Sequence, residues 1–165
     1  MKIHIIGASG SGKTYLAKKL ASKYGISINS LDDLLWDNSH GSYYNVKRNA
    51  EERNAMLEQI LQSDDWIIEG VQHSWCDKCF ESADIIYMLN MPRFLCRLRI
   101  IRRFIKRKLS RNDRNNETLK SLVDLLKWTK KFYKVNLIEI REKLAHYQSK
   151  VVVLSSRNDI KAILD

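Results

Sequence analysis

Short runs of apolar residues alternate along the chain with longer segments in which apolar residues recur at helical spacing. The short runs are rich in β-branched residues, and a run of this length and composition predicts a buried strand. Five runs fit: residues 2–6, 26–31, 65–69, 84–89 and 151–154. The chain therefore has the pattern of a protein built around a sheet.

The segments between these runs predict helices. They cover residues 13–24, 46–62, the stretch after Pro92, 117–147 (one bent helix or two) and 159–164. In the helix after Pro92 the apolar residues fall on one stripe, the pattern of a helix that buries one face. That stripe consists of Phe94, Leu98, Ile101, Ile105 and Leu109, and Arg99, Arg103, Lys106 and Arg107 face away from it.

Strands separated by helices predict an α/β fold, a five-stranded parallel sheet with helices on both faces. The crossovers of such a sheet are right-handed. We expect a ligand to bind outside the carboxyl ends of the strands, where open α/β sheets place their sites.

Composition limits the class of protein. With 165 residues, 44% of them hydrophobic and 29% charged, the chain suits one folded domain and neither a disordered nor a collagen-like protein. No apolar run approaches the roughly 18 residues of a membrane span, and the first residues lack a secretory pattern. Without such segments we expect no contact with a membrane. Three cysteines suggest free thiols, so we expect a cytoplasmic protein.

Positive charge is concentrated in one segment. The net charge is +10, and residues 92–114 contain ten basic residues with Asp113 as the one acid. A local field of this sign attracts an anion, either nucleotide phosphates, a nucleic acid or an anionic surface.

The turn after the first strand contains a phosphate-binding motif. The residues Gly7, Ala8, Ser9, Gly10, Ser11, Gly12, Lys13 and Thr14 fit G-x-x-x-x-G-K-[ST] between a predicted strand and a predicted helix. Glycines let backbone N–H groups surround an anion, the lysine reaches the β- and γ-phosphates, and the threonine hydroxyl meets Mg²⁺. The sequence lacks the guanine-binding Asn-Lys-x-Asp and transporter Leu-Ser-Gly-Gly signatures and is short for a AAA motor. A small P-loop kinase remains.

Further motifs occur in order along nearly the whole chain. They are Leu31-Asp32-Asp33-Leu34-x-Trp36, Trp66-Ile67-Ile68-Glu69-Gly70, Ala83-Asp84-Ile85-Ile86, Arg99-x-x-x-Arg103, Leu126-x-Trp128 and the closing run from Val151 to Arg157. With the P-loop, this set resembles the adenylate-kinase-like P-loop proteins. It is most similar to the bacterial group labelled DNA topology modulation proteins, an inherited label that does not itself establish an activity on DNA.

The resemblance implies roles for the donor site. Glu69 would lie near the water shell of Mg²⁺ with Thr14, and Arg99 and Arg103 would hold the base and phosphates of the donor. The basic residues Arg107, Arg111 and Arg114 would line a short lid, about 99–116, and Arg157 would contact the nucleotide. One departure concerns the acceptor: where relatives continue with Phe-Pro-Arg, this chain has Val71-Gln72-His73, which puts AMP in doubt as the acceptor.

The acceptor site is less specified. Asp32 and Asp33 follow the second strand, where a carboxylate can hold an acceptor hydroxyl or act as a base, although the pair could equally cap a helix. Arg48 and Arg53 lie in a helical insert, about 36–64, that would cover the acceptor, and either could clamp a phosphate or be a surface residue. Aromatic residues flank this region and could stack a base or simply pack: Trp36, Tyr43, Tyr44 and Trp75.

A second chemical pattern follows the third strand. His73, Cys76 and Cys79 could contribute three ligands to a metal, although a structural zinc site uses four. Ordinary free thiols are the alternative.

These observations lead to one hypothesis and two alternatives. We expect a single P-loop kinase-like domain over residues 1–165, a monomer or homodimer, that uses Mg²⁺ and ATP, or GTP, to phosphorylate a small acceptor such as a nucleotide or nucleoside. The alternatives are a nucleotide-binding regulator that acts on DNA through the basic segment, and a protein that binds ATP without catalysis.

Overall fold

The β-branched run at the start of the chain forms the central strand of a five-stranded parallel sheet. A computed structural model describes residues 1–37, 46–109 and 118–165. The strands are β1 (Lys2–Gly7), β2 (Ile28–Ser30), β3 (Trp36–Asp37), β4 (Val46–Lys47), β5 (Trp66–Gly70), β6 (Ile85–Leu89) and β7 (Val151–Leu154). The sheet order is β2-β5-β1-β6-β7, and β3 and β4 form a separate antiparallel pair. The predicted five-stranded parallel sheet is confirmed.

Eight α-helices connect the strands in the described part of the chain. They are α1 (Lys13–Tyr24), α2 (Leu31–Leu35), α3 (Ala50–Leu61), α4 (Asp77–Ser82), α5 (Arg93–Leu109), α6 (Leu119–Lys131), α7 (Leu137–Leu144) and α8 (Arg157–Leu164). A π-helical turn, Phe132–Asn136, joins α6 to α7, and a 3₁₀ segment, Ala145–Lys150, follows. The long amphipathic pattern is therefore helical without a break from Leu119 to Leu144, with a change of pitch in its middle, and a kink follows at Tyr147. None of the described helices combines the length and apolarity needed to cross a bilayer.

The predicted end of the second strand and the predicted start of the helix at residue 46 are wrong. In both places a side chain caps the first turn of a helix and so sets where that helix begins. The second strand stops at Ser30, whose hydroxyl accepts a hydrogen bond from the Asp32 amide (3.3 Å) and starts α2. The helix predicted from residue 46 begins after Asn49, whose side chain accepts from the Glu52 amide (2.8 Å). Such side-chain caps satisfy the free N–H groups of a first helical turn.

The core lies on both faces of β1. On one face His4 packs edge-to-face against Phe80 of α4, with ring centroids 5.0 Å apart. Because side chains alternate along a strand, Ile3 and Ile5 point to the opposite face, and both are buried. There α1 packs on β1 and β5 and contacts α8. This arrangement confirms helices on both faces of the sheet.

The apolar stripe predicted for the helix after Pro92 is not its buried face. The buried residues of α5 are Cys96, Ile100 and Phe104, and the stripe is exposed at Phe94 (67%) and Leu109 (79%). The side of α5 with Cys96 and Ile100 is buried because it packs against Gly10 of the phosphate-binding turn. The wider stripe is left facing outward.

Two isoleucines of α5 provide a test of this orientation. Ile100 is 1% exposed and Ile105 is 50% exposed. We expect Ile100→Ala to lower the free energy of unfolding by about 2–5 kcal/mol, the range for deleting a buried aliphatic side chain. Ile105→Ala should change it by no more than about 0.5 kcal/mol. Urea denaturation of both variants measures the difference, and equal losses would contradict the orientation.

Candidate functional site

The turn between β1 and α1 curls into an anion-binding shape. Gly10 and Gly12 both adopt positive φ, 77° and 108°, a conformation that side-chain-bearing residues rarely adopt. A Cβ at Gly10 would lie 2.6 Å from the Cys96 carbonyl oxygen of α5, so glycine is also required by the close approach of that helix. The Ser11 hydroxyl is buried and has no hydrogen-bond partner in the part of the chain that the structure describes. A phosphate oxygen would supply one.

Lys13 lies inside this turn. Its side chain is 9% exposed, and Nζ donates a hydrogen bond to the Ala8 carbonyl oxygen (3.0 Å). Burial lowers the pKa of Lys13, and the carboxylates of Glu69 and Asp32 oppose that shift. The lysine is therefore a buried cation near two acids, and binding an anion would relieve the desolvation of its charge.

Thr14 and Glu69 are brought together from two segments. The Thr14 hydroxyl donates to Glu69 Oε1 at 2.9 Å. Glu69 is nearly buried on β5 and registers with Ile5 of the central strand, which places it beside the turn. A hydroxyl and a carboxylate at this distance are hard oxygen ligands of the kind that Mg²⁺ takes, directly or through water. The residues present fit the predicted magnesium site.

Arg99 contacts the phosphate-binding turn from α5. Its Nη1 donates to the carbonyl oxygens of Gly10 (3.1 Å) and Ser11 (2.9 Å). These bonds attach α5 to the carbonyl groups of the turn, and within the turn the Ser11 amide donates to the Ala8 carbonyl oxygen (3.2 Å). Arg103, one turn further along α5, is exposed and adds positive potential at Lys13. Both predicted donor arginines thus lie on the side of α5 that faces the turn.

Asp32 and Asp33 lie in α2, at the carboxyl end of β2. The helix cap is Ser30, so neither aspartate is needed as a cap. Asp32 is half-buried and close enough to Lys13 to affect its pKa. Burial and the Asp32 carboxylate raise the pKa of Asp33 above its usual value. Asp32 therefore lies toward the buried lysine, and Asp33 next to it is exposed.

The raised pKa of Asp33 has a consequence for stability. Because the folded protein binds a proton at Asp33 more tightly than the unfolded chain does, ionisation of this group destabilises the fold as pH rises through its pKa. We expect Asp33→Asn to have a higher melting temperature than the unmodified protein at pH 7. The difference should disappear well below pH 3.8, the ordinary pKa of an aspartate. Exposed Asp124→Asn is the control. Thermal melts across this pH range check it, and a lower melting temperature for Asp33→Asn at pH 7 would contradict it.

The two predicted acceptor arginines contact residues both inside and outside the insert. Arg48 Nε donates to the Leu34 carbonyl oxygen (3.2 Å) and its Nη1 contacts Glu52, so it connects α2 to α3. Arg53 stacks its guanidinium on the Trp75 ring, 4.3 Å from the centroid. Arg53 is therefore half-buried against the ring of Trp75, whereas Arg48 is bound to the backbone of α2 and to a side chain of α3.

The remaining predicted residues are placed as follows. Arg157 is exposed in the first turn of α8, at the same edge of the sheet as the P-loop, because α8 follows the carboxyl end of β7. Arg99 to Leu109 of the predicted lid form the end of α5. Arg111, Arg114, Tyr43 and Tyr44 lie outside the described residues.

The proposed metal ligands after β5 do not converge. His73 Nε2 is hydrogen-bonded to Glu139 Oε2 (2.7 Å), and the three cysteines are free. Among the described residues no three candidate ligands cluster to hold a metal. A hydrogen bond from the Cys76 thiol lowers the pKa of Cys79 to about 6. The described residues therefore contain two neighbouring buried thiols, Cys76 and Cys79, and no metal centre.

One residue of the site was missed by the sequence analysis. Tyr133 falls within the helix predicted over residues 117–147 and was given no role, yet its hydroxyl donates to the Met91 carbonyl oxygen (2.6 Å) and lies 3.2 Å from Cys96 Sγ. It thereby fixes the start of α5 against the phosphate-binding turn. No local signal marks this pairing, because the partners are about forty residues apart.

Comparison with known proteins gives the fold. No protein-family model matches the sequence, and no curated protein matches it significantly. Solved structures match over 99% of this chain, among them shikimate kinase from Acinetobacter baumannii in complex with shikimate (TM-score 0.57, 17% identity, 88% of that chain), a gluconokinase from Sinorhizobium meliloti 1021 (0.56, 17%, 86%) and shikimate kinase from Bacteroides thetaiotaomicron (0.55, 18%, 94%). The chain therefore has the α/β fold of small-molecule P-loop kinases.

Proposed function

We propose that this protein is a kinase that transfers the γ-phosphoryl group of Mg²⁺-ATP to a hydroxyl of a small molecule. The observation that carries the proposal is the convergence of Lys13, Thr14, Glu69 and Asp32 at one end of the sheet. A phosphate-binding turn alone would support nucleotide binding. The additional carboxylate from α2, close to the lysine, supports a second substrate beside the donor.

Each group has a task that phosphoryl transfer requires. The amides of the turn and Lys13 bind the β- and γ-phosphates, and Arg103 adds positive charge as the transition state forms. Bound Mg²⁺, held by Thr14 and Glu69, would neutralise phosphate charge. Asp32 orients the acceptor hydroxyl and takes its proton while the acceptor oxygen bonds to phosphorus. The bond from phosphorus to the leaving oxygen of ADP breaks in the same displacement.

A panel of acceptors tests this proposal. Purified protein with Mg²⁺ and ATP, or GTP, would be offered nucleoside monophosphates, nucleosides, and hydroxy acids including shikimate and gluconate, the acceptors suggested by the names of the structural neighbours. Phosphorus NMR detects any phosphorylated product. We expect one acceptor class to yield a product, and Asp32→Asn to reduce its formation while ATP binding is kept.

One result would contradict a kinase, and another would contradict the role given to Asp32. ATP binding with no product from any acceptor would favour a protein that only binds nucleotide. Full transfer by Asp32→Asn would remove the carboxylate from the mechanism. We also propose a cytoplasmic location, supported by the three free thiols.

A further inference from the structure

The outward face of α5 is an apolar stripe that runs the length of the helix. Phe94, Leu98, Ile105 and Leu109 are 67%, 48%, 50% and 79% exposed, and Ile101 between them is half-buried. At 3.6 residues per turn these five positions share one side, opposite the side that buries Ile100. Exposed apolar residues that are contiguous mark an interaction surface rather than ordinary surface composition.

Cations border this stripe on both sides. By the same helical spacing Arg97 and Lys108 flank one side and Arg102 and Lys106 flank the other, and all four are exposed. The whole of α5 contains eight basic residues and no acid. A groove formed by Phe94, Leu98 and Ile101 has Arg93 and Arg97 along its wall, so an apolar group bound there would lie beside a cation.

The charge decides between possible occupants. A second copy docked through α5 would bring two acid-free basic helices together, which is repulsive. A nucleic acid binds through its phosphates and has no use for five aligned apolar side chains. An anionic lipid surface uses both features, because acyl chains accept the stripe and the headgroup phosphates pair with the flanking cations.

We propose that α5 binds the surface of an anionic lipid bilayer, which replaces the expectation from the sequence that the protein does not contact a membrane. The helix lies in the plane of the interface, with the stripe inserted among the acyl chains and the four flanking cations at the level of the phosphates. The opposite side of the helix keeps its contacts with the phosphate-binding turn through Arg99. Membrane binding therefore leaves the nucleotide site formed, and nucleotide binding reports whether a variant is folded.

Vesicle co-sedimentation tests the proposal with the full chain. We expect binding to vesicles of equal parts phosphatidylglycerol and phosphatidylcholine, and little binding to phosphatidylcholine alone. The double variant Leu98→Ser with Ile105→Ser should lose at least about tenfold in vesicle affinity. Arg97→Gln with Arg102→Gln should weaken binding and its dependence on salt.

A matched control uses apolar residues elsewhere. Val152 and Val153 on β7 are 41% and 52% exposed, similar to Leu98 and Ile105. Their double serine variant should bind vesicles as the unmodified protein does, and every variant should retain nucleotide binding.

Four outcomes would overturn the proposal. One is no co-sedimentation with anionic vesicles, and another is equal loss in the α5 and β7 variants. A third is a dimer in sedimentation velocity that Leu98→Ser with Ile105→Ser dissociates, which would make the face an interface between copies. The last is binding of duplex DNA, without vesicle binding, that depends only on Arg97 and Arg102.

Discussion

Lys13→Ala should reduce phosphoryl transfer by about 10²–10³-fold, the range for removing one preorganised group that stabilises transition-state charge. Lys13 is buried within the phosphate-binding turn, with Glu69 and Asp32 nearby. Without its cation, those carboxylates would repel the incoming phosphates. The same substitution should also weaken nucleotide affinity.

The stability of this variant separates a functional loss from an unfolded protein. Burial lowers the pKa of Lys13, which means that its charged form is disfavoured in the folded state. Removing the charge relieves that penalty and offsets the loss of the buried side chain and of its hydrogen bond to Ala8, so we expect Lys13→Ala to remain folded. Exposed Lys19→Ala, on the same helix, is the control for the loss of a positive charge. Full transfer by a folded Lys13→Ala protein would contradict the proposed function.

Gly10→Ala should disrupt the site through the backbone. Alanine at φ 77° costs roughly 1–2 kcal/mol, and its Cβ would lie 2.6 Å from the Cys96 carbonyl oxygen. Since this atom belongs to the backbone of α5, the turn and the helix must move apart. We expect the hydrogen bonds from Arg99 to the turn to break and ATP affinity to fall at least about tenfold.

Gly25→Ala is a matched control for this prediction. Gly25 has nearly the same dihedral, φ 72°, and a Cβ at this position would have no neighbouring atom within 4 Å. It therefore carries the conformational penalty without the clash. Urea denaturation and ATP titration of both variants separate the two effects. If the two variants lost equal stability and both kept ATP binding, the close approach of α5 would not matter to the site.

The residues near the P-loop show which features of the site can be predicted from neighbouring residues in the sequence. The motif from Gly7 to Thr14 needs one strand, one turn and one helix, and these follow one another directly in the chain, so its shape follows from spacing. The pairing of Thr14 with Glu69 joins residues 55 apart. The motif itself predicts that Thr14 lies near Mg²⁺, whereas Glu69 was expected there only through a resemblance to a family. The hydrogen bond between them comes from the register of β1 and β5.

The orientation of α5 shows where local patterns fail. Its strongest periodic signal is the stripe from Phe94 to Leu109, yet the buried side contains Cys96, Ile100 and Phe104. Periodicity reports which apolar residues share a side, and it does not report which side meets the rest of the protein. The buried side is set by contacts with two residues that are distant in the chain. Tyr133 donates a hydrogen bond to Met91 just before α5, and Gly10 lies against Cys96 in its first turn.

The order and spacing of neighbouring residues were enough to predict the five strands, their parallel α/β arrangement and the glycine-rich turn between β1 and α1. The surroundings of Lys13, the separate partners of Arg48 and Arg53, and the outward face of α5 became visible only in the folded chain. Each of these depends on the distance between segments that are far apart in the chain. Packing of the whole core sets such distances, and no local pattern contains them.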